Sequence, residues 1–206
     1  MSEEVSIRMM DDAGLAPAIP LFAPRPDKKG PKTVAVLLIL GGLVMVLVGF
    51  GDIRNSMYED LSDAKVDLIL ENYQNQNVNI TDEEYQEYHD GIKDNGAYAV
   101  RGYSLLGGGI FVIIGGILLF RLKLLGVKMA ILGSVIGLIG GFSGSWMMAD
   151  ISNKLLPEEM TNINQYFSYL CGICMSVCVA LSVLPILNAS AKAALDQKVT
   201  LVTEEE

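Results

Sequence analysis

The 206-residue chain is 51% hydrophobic, has a mean hydropathy of +0.38 and carries a formal charge of −9 at pH 7. That acidic balance, with no basic patch, excludes nucleic-acid binding, and three cysteines confined to the last apolar block exclude a disulfide-framed domain. Four uncharged blocks that are apolar all round exclude a soluble bundle, whose helices would keep a polar face.

The blocks are residues 33–51, 102–120, 129–149 and 166–187. Each is about 20 residues, one bilayer thickness as a helix. The pattern predicts an all-α integral membrane protein with four transmembrane helices in an antiparallel Gly-rich bundle. A helical extracytoplasmic cap is expected between spans 1 and 2.

Residues 1–32 contain Pro17, Pro20, Pro24, Pro26 and Pro31 and little periodic apolar content, so they read as a disordered Pro-rich cytoplasmic tail. The acidic opening Met1-Ser2-Glu3-Glu4 is unlike a cleavable signal, and span 1 (33–51) is expected to be an uncleaved anchor. Residues 52–101 hold twelve acids and four bases, so this outer segment alone carries −8. Within it Met57, Leu61, Ala64 and Leu68 recur at helical spacing, with Ile69 and Tyr73 beside them. An amphipathic helix is expected there, close to or continuous with span 1, ending in the Asn/Gln cluster 72–79. Thr81 and Glu84 then match a capping box. They open a short helix with Tyr85, Tyr88 and Ile92 on one face. His89 lies among acids and reads as part of a solvated charged face, since the spacing is not that of a calcium loop. Asn79-Ile80-Thr81 is a sequon, which makes Asn79 a candidate glycosylation acceptor. Asp94-Asn95-Gly96 signals a turn.

Span 2 (102–120) leads through a basic cytoplasmic turn (121–128) into span 3 (129–149). Gly133, Gly137, Gly140, Gly141 and Gly144 recur there at spacings that place them on one side of a helix. Such a side lets another helix approach closely, so span 3 reads as the packing spine. Spans 1 to 3 also share glycine pairs eight residues apart, Gly41/Gly49, Gly107/Gly115 and Gly133/Gly141. An outer loop (150–165) precedes span 4 (166–187), and residues 188–206 form a cytoplasmic tail. Arg25, Lys28, Lys29 and Lys32 crowd the front of span 1, and Arg121, Lys123 and Lys128 join spans 2 and 3. Lys and Arg near span ends stay in the cytoplasm. Both termini are therefore expected to be cytoplasmic, in a multi-pass protein of the cell membrane.

Little chemistry is visible. Cys171, Cys174 and Cys178 share one face of span 4 by spacing. Packing against glycine-rich neighbours is the simplest role for such small polarizable side chains. Cys171-Gly172-Ile173-Cys174 lies near the outer end of a late span, and a long outer segment separates spans 1 and 2. In these features the chain resembles the vitamin K epoxide reductase family, membrane thiol–quinone oxidoreductases built on a four-helix bundle. The resemblance implies a quinone cofactor and catalytic roles for Cys171 and Cys174. The chain departs from the family in having no cysteine in the long segment, where the family keeps the pair that passes electrons to substrate proteins. A metal site is not expected, and the four blocks contain no ionisable residue of the kind a transport pathway uses. The expected function is thus a structural, assembly or interaction role, with no catalytic site or cofactor. Its partners would be the lipid bilayer and either further copies of itself or a larger membrane complex. The alternatives are the thiol–quinone oxidoreductase and a channel or transporter subunit acting as an oligomer.

Overall fold

The computed structural model describes residues 26–58, 63–75 and 80–196. The described residues form helices without strands: α1 (Lys29–Met57), α2 (Asp63–Gln74), α3 (Asp82–Asp94), α4 (Ala97–Phe120), α5 (Leu124–Leu155), α6 (Glu158–Leu187) and α7 (Ala189–Leu195). Four of these, α1, α4, α5 and the Ser168–Leu187 part of α6, are long and apolar enough to cross a membrane. The chain is therefore all-helical with four candidate spans, as expected. The expectations placed on residues 1–25, on Leu61, on residues 76–79 including Asn79 and on residues 197–206 fall outside the described residues.

Every long helix outruns its apolar block, because intrahelical hydrogen bonding does not stop where charge begins. α1 continues through Asp52 and Arg54 to Met57, and Tyr58 ends it in an extended conformation, φ −78° and ψ 132°. α4 begins at Ala97, after Gly96 turns the chain at φ 74°, a region that glycine enters without strain. Only Leu156 and Pro157 separate α5 from α6, so the expected outer loop is mostly helical. At its other end α4 closes in a Schellman motif, with Lys123 N–H donating to Leu118 and Leu122 N–H to Leu119. Leu122 takes the left-handed position there at φ 57°. Asp27 accepts from the N–H groups of Lys29 and Gly30 at the start of α1, and its own N–H donates to Ser190 of α7.

The helix at the centre is α4, which has α1 on one side and α5 on the other. Its glycines make both contacts. A Cβ added at Gly109 would lie 2.9 Å from the Gly42 carbonyl oxygen, and one at Gly116 would lie 3.1 Å from that of Ala35. Toward α5, a Cβ at Gly108 would lie 2.6 Å from the Gly133 carbonyl and one at Gly115 2.8 Å from that of Gly126. Residue numbers fall on α1 and α5 as they rise on α4. These are backbone-to-backbone approaches that no side chain could share. Gly133, Gly137, Gly140 and Gly144 are buried, against Gly108, Met45, Ser104 and Arg101 respectively, whereas Gly141 meets only the Leu105 side chain. The glycine side of span 3 is thus filled from within the chain, and span 2, not span 3, is the spine. α6 leans on α5, meets α1 along a thin edge and is the least covered of the long helices.

Two apolar clusters result. One fills the bundle with Ala35, Leu38, Met45, Leu105, Val112, Leu119, Val127 and Ala130. The other joins α2 and α3 to the ends of α4, α5 and α6 through Val66, Leu70, Tyr88, Ile92, Tyr98, Met148 and Met160. The capping box forms as expected. Thr81 Oγ1 accepts from Glu84 N at 3.3 Å, and Glu84 Oε2 accepts from Thr81 N at 2.9 Å. Tyr88 and Ile92 are buried on one face of α3, with Tyr85 packed beside them.

Two expectations for this region fail. The inward face of α2 is Val66, Leu70 and Tyr73, while Leu68 is 63% exposed. Both rows have helical spacing, and contact with α3 selects the second. His89 is only 2% exposed, not solvated. Its neighbours Tyr88 and Ile92 dock on α4 and α5, which carries His89 inward while Glu83 and Glu87 stay outside. His89 Nδ1 lies 3.3 Å from the Tyr98 hydroxyl, and the two rings are 5.4 Å apart.

Candidate ligand cavity beneath the cap helices

The extension of α1 and α4 past their apolar blocks brings two charges together. Asp52 lies in the penultimate turn of α1 and Arg101 in the second turn of α4. Gly102 lies against Gly49 and Ile53, which places these positions side by side. Arg101 Nε donates to Asp52 Oδ2 and Nη2 to Oδ1, both at 2.7 Å. This bidentate fork suits a planar guanidinium and a carboxylate. Asp52 is 5% exposed, so each charge depends on the other: an unpaired buried charge costs several kcal/mol.

The pair lies on the wall of a cavity of about 510 Å³, a size usual for small-ligand sites. α1, α4, α5 and α6 form its sides. Tyr73 of α2 and Tyr85 and Tyr88 of α3 roof it. Tyr88 hydrogen-bonds Ser152 of α5. Burial pushes the Tyr85 phenol up to about 12, and raises Tyr73 and Tyr88 as well. These hydroxyls therefore stay protonated, as neutral donors, across the physiological range. Asn55, Ser145, Asn153 and Gln165 add polar groups near the same end, while Val44, Met45, Val48, Leu138 and Met175 make the deeper wall apolar.

The cavity follows from the packing. Glycines draw α1, α4 and α5 into contact, but Gly172 of α6 has open space where a Cβ would stand. α1 and α6 meet at Gly41 and Cys178, where a Cβ on Gly41 would lie 3.1 Å from the sulfur. The cavity lies capward of that contact, between Val44 and Val48 on α1 and Leu170 and Cys174 on α6. Leu170, Cys174 and Phe142 are exposed along its rim, so access is lateral, from the surface the long helices turn outward.

The three cysteines do not form one site. Cys171 and Cys174 line the cavity and Cys178 faces Gly41. All three are free thiols, and only Cys178 packs against a glycine as expected. Among the described residues no three His, Cys, Asp or Glu side chains are grouped to hold a metal ion. The Asp52–Arg101 pair escaped the reading by blocks because each residue lies one position outside a block. The available signal was the pairing of opposite charges at the end of span 1 and the start of span 2. The chain has no match among protein-family models, curated proteins or solved structures.

Proposed function

We propose that the chain is a multi-pass membrane protein that binds a molecule dissolved in the bilayer, and that it acts by binding, without catalysis. The observation that carries this reading is the cavity. Its polar end holds the Asp52–Arg101 pair and tyrosine hydroxyls, its deeper wall is apolar, and its rim opens along α6. An amphiphile that partitions into lipid fits such a division. In this reading the bundle is antiparallel and glycine-packed, α2 and α3 form an extracytoplasmic cap, and both termini are in the cytoplasm of a cell-membrane protein. Support for that orientation comes from Lys and Arg near the span ends: Lys28, Lys29 and Lys32 at the start of α1 and Arg121, Lys123 and Lys128 around the turn from α4 to α5 lie at the end away from the cap. Any self-association or entry into a larger complex would use lipid-facing side chains, since the glycines of α5 are already engaged by α4.

Native mass spectrometry from nanodiscs tests the reading. The wild-type chain is expected to retain a bound amphiphile that Gly172→Trp excludes, because Gly172 lines the cavity and a Cβ there has no neighbour within 4 Å. Equal retention by both proteins would refute it. A single cysteine at the exposed Glu83, in a chain freed of its own cysteines, tests orientation: labelling by an impermeant reagent from outside is expected.

A second reading, the thiol–quinone oxidoreductase, is favoured by one fact: Cys171 and Cys174 line the same cavity. Two thiols would lose two electrons and two protons to form a disulfide, and a quinone would accept them to become the hydroquinone. Thiol trapping in membranes tests this, and a pair that stays reduced in the presence of quinone ends it.

A further inference from the structure

We infer that the occupant of the cavity is an amphiphile with an uncharged, oxygen-accepting head, held by Arg101, and an apolar chain that lies along α6. This inference rests on the binding reading above and adds the chemical class of the ligand. The charge inventory of the wall carries it. Among the described side chains that line the cavity, Asp52 and Arg101 are the only ionised ones, and they neutralise one another through two 2.7 Å hydrogen bonds. A charged head would enter this site with no spare counter-charge among the described side chains, which burial penalises.

Charge sign excludes each class in turn. An anionic head would put a second negative charge beside Asp52 with only one guanidinium to answer both, and would approach through the field of a segment carrying −8. A cationic head would meet the Arg101 guanidinium. An uncharged carbonyl meets neither obstacle. Arg101 uses Nε and Nη2 on Asp52, its side chain is 24% exposed, and a guanidinium has five N–H donors, so it can donate to a carbonyl without leaving its partner. The amides of Asn55, Asn153 and Gln165 and the Ser145 hydroxyl add neutral donors near it. Beyond the polar end, Val44, Val48, Leu138 and Met175 suit a hydrocarbon chain, and the exposed rim along α6, at Phe142, Leu170 and Cys174, lets that chain continue into the bilayer. Two sources share this chemistry, a neutral acylglycerol and an isoprenoid quinone.

Thermal unfolding in mild detergent, titrated with dioctanoylglycerol, a short-chain ubiquinone, dioctanoyl phosphatidic acid and a dioctanoyl cationic lipid, tests the inference. The wild-type chain is expected to be stabilised by at least one uncharged amphiphile, with half-saturation at least tenfold lower than for either charged one. The stronger of the two uncharged ligands identifies the source. Gly172→Trp is expected to abolish the shift. Arg101→Lys, which keeps the charge opposite Asp52 but loses the planar fork, is expected to weaken it severalfold. Tighter binding of the anionic or cationic lipid, still blocked by Gly172→Trp, would overturn the head assignment and leave the binding reading standing. No shift with any amphiphile, or an equal shift in Gly172→Trp, would overturn both.

Discussion

Gly107 and Gly108 are adjacent on α4, yet opposite outcomes are expected when each becomes alanine. A Cβ at Gly107 meets nothing within 4 Å. One at Gly108 would lie 2.6 Å from the Gly133 carbonyl oxygen and 2.9 Å from the Gly137 nitrogen. Ordinary contact begins near 3.4 Å, so α4 and α5 would have to part by about 0.8 Å. Both obstacles are backbone atoms, and no rotamer change relieves them. Overpacking costs about 1–3 kcal/mol. The upper half of that range is expected, because separation would also loosen Gly115 against Gly126. Gly107→Ala is expected to be neutral or to stabilise by up to about 1 kcal/mol through helix preference. The two variants should thus differ by about 3 kcal/mol, roughly a hundredfold in the unfolding equilibrium at 1.4 kcal/mol per factor of ten. Reversible unfolding in mixed micelles at increasing SDS fraction measures this. Equal midpoints for the two variants would refute the claim that backbone approach holds α4 to α5.

Asp52→Asn is expected to destabilise by about 3 kcal/mol because it leaves Arg101 without its counter-charge, whereas Asp52→Leu combined with Arg101→Met should lie within about 1 kcal/mol of wild type. The same SDS titration checks both. Thr81 N–H and O–H hold the Glu84 carboxyl below the usual carboxylate range. Its contribution is therefore present above the unfolded carboxylate value of about 4.3 and lost as pH falls through the lower folded one. Hydrogen exchange at the start of α3 should accelerate on that acidification in the wild type and lose this pH dependence in Glu84→Gln. Tyr85, raised to about 12 by burial, stabilises the fold below the unfolded phenol value of about 10 and stops doing so as pH rises toward 12. Alkaline unfolding followed by tyrosinate absorbance should shift to higher pH in Tyr85→Phe.

What could be read from the sequence was local or one-dimensional. Thr81 and Glu84 are three residues apart, and their reciprocal bonds need nothing beyond their own turn. The four spans follow from apolar length alone. The face of α2 could not be read, because Leu68 and the Val66, Leu70 and Tyr73 row share helical spacing and only α3 chooses between them. His89 misleads for a related reason: its sequence neighbours are acidic, but the docking of Tyr88 and Ile92 decides where its ring lies. The glycine pairs share a spacing without sharing a role, since Gly115 is pressed against α5 and Gly107 faces open space. Asp52 and Arg101 are 49 positions apart. Their meeting depends on how far each helix continues past its apolar block and on which helices are neighbours, and hydropathy reports neither.

The central claim is that the cavity is occupied from the bilayer, and position-resolved photolabelling tests it most directly. Proteoliposomes containing a diacylglycerol with a diazirine in its acyl chain would be irradiated and the adducts mapped by peptide mass spectrometry. Adducts are expected on Leu138, Phe142, Leu170 and Met175, the residues that line the cavity along α5 and α6, and they should disappear in Gly172→Trp. Adducts confined to the outward face of α1, at Leu40, Leu43 and Leu47, with none on the cavity wall, would contradict the account.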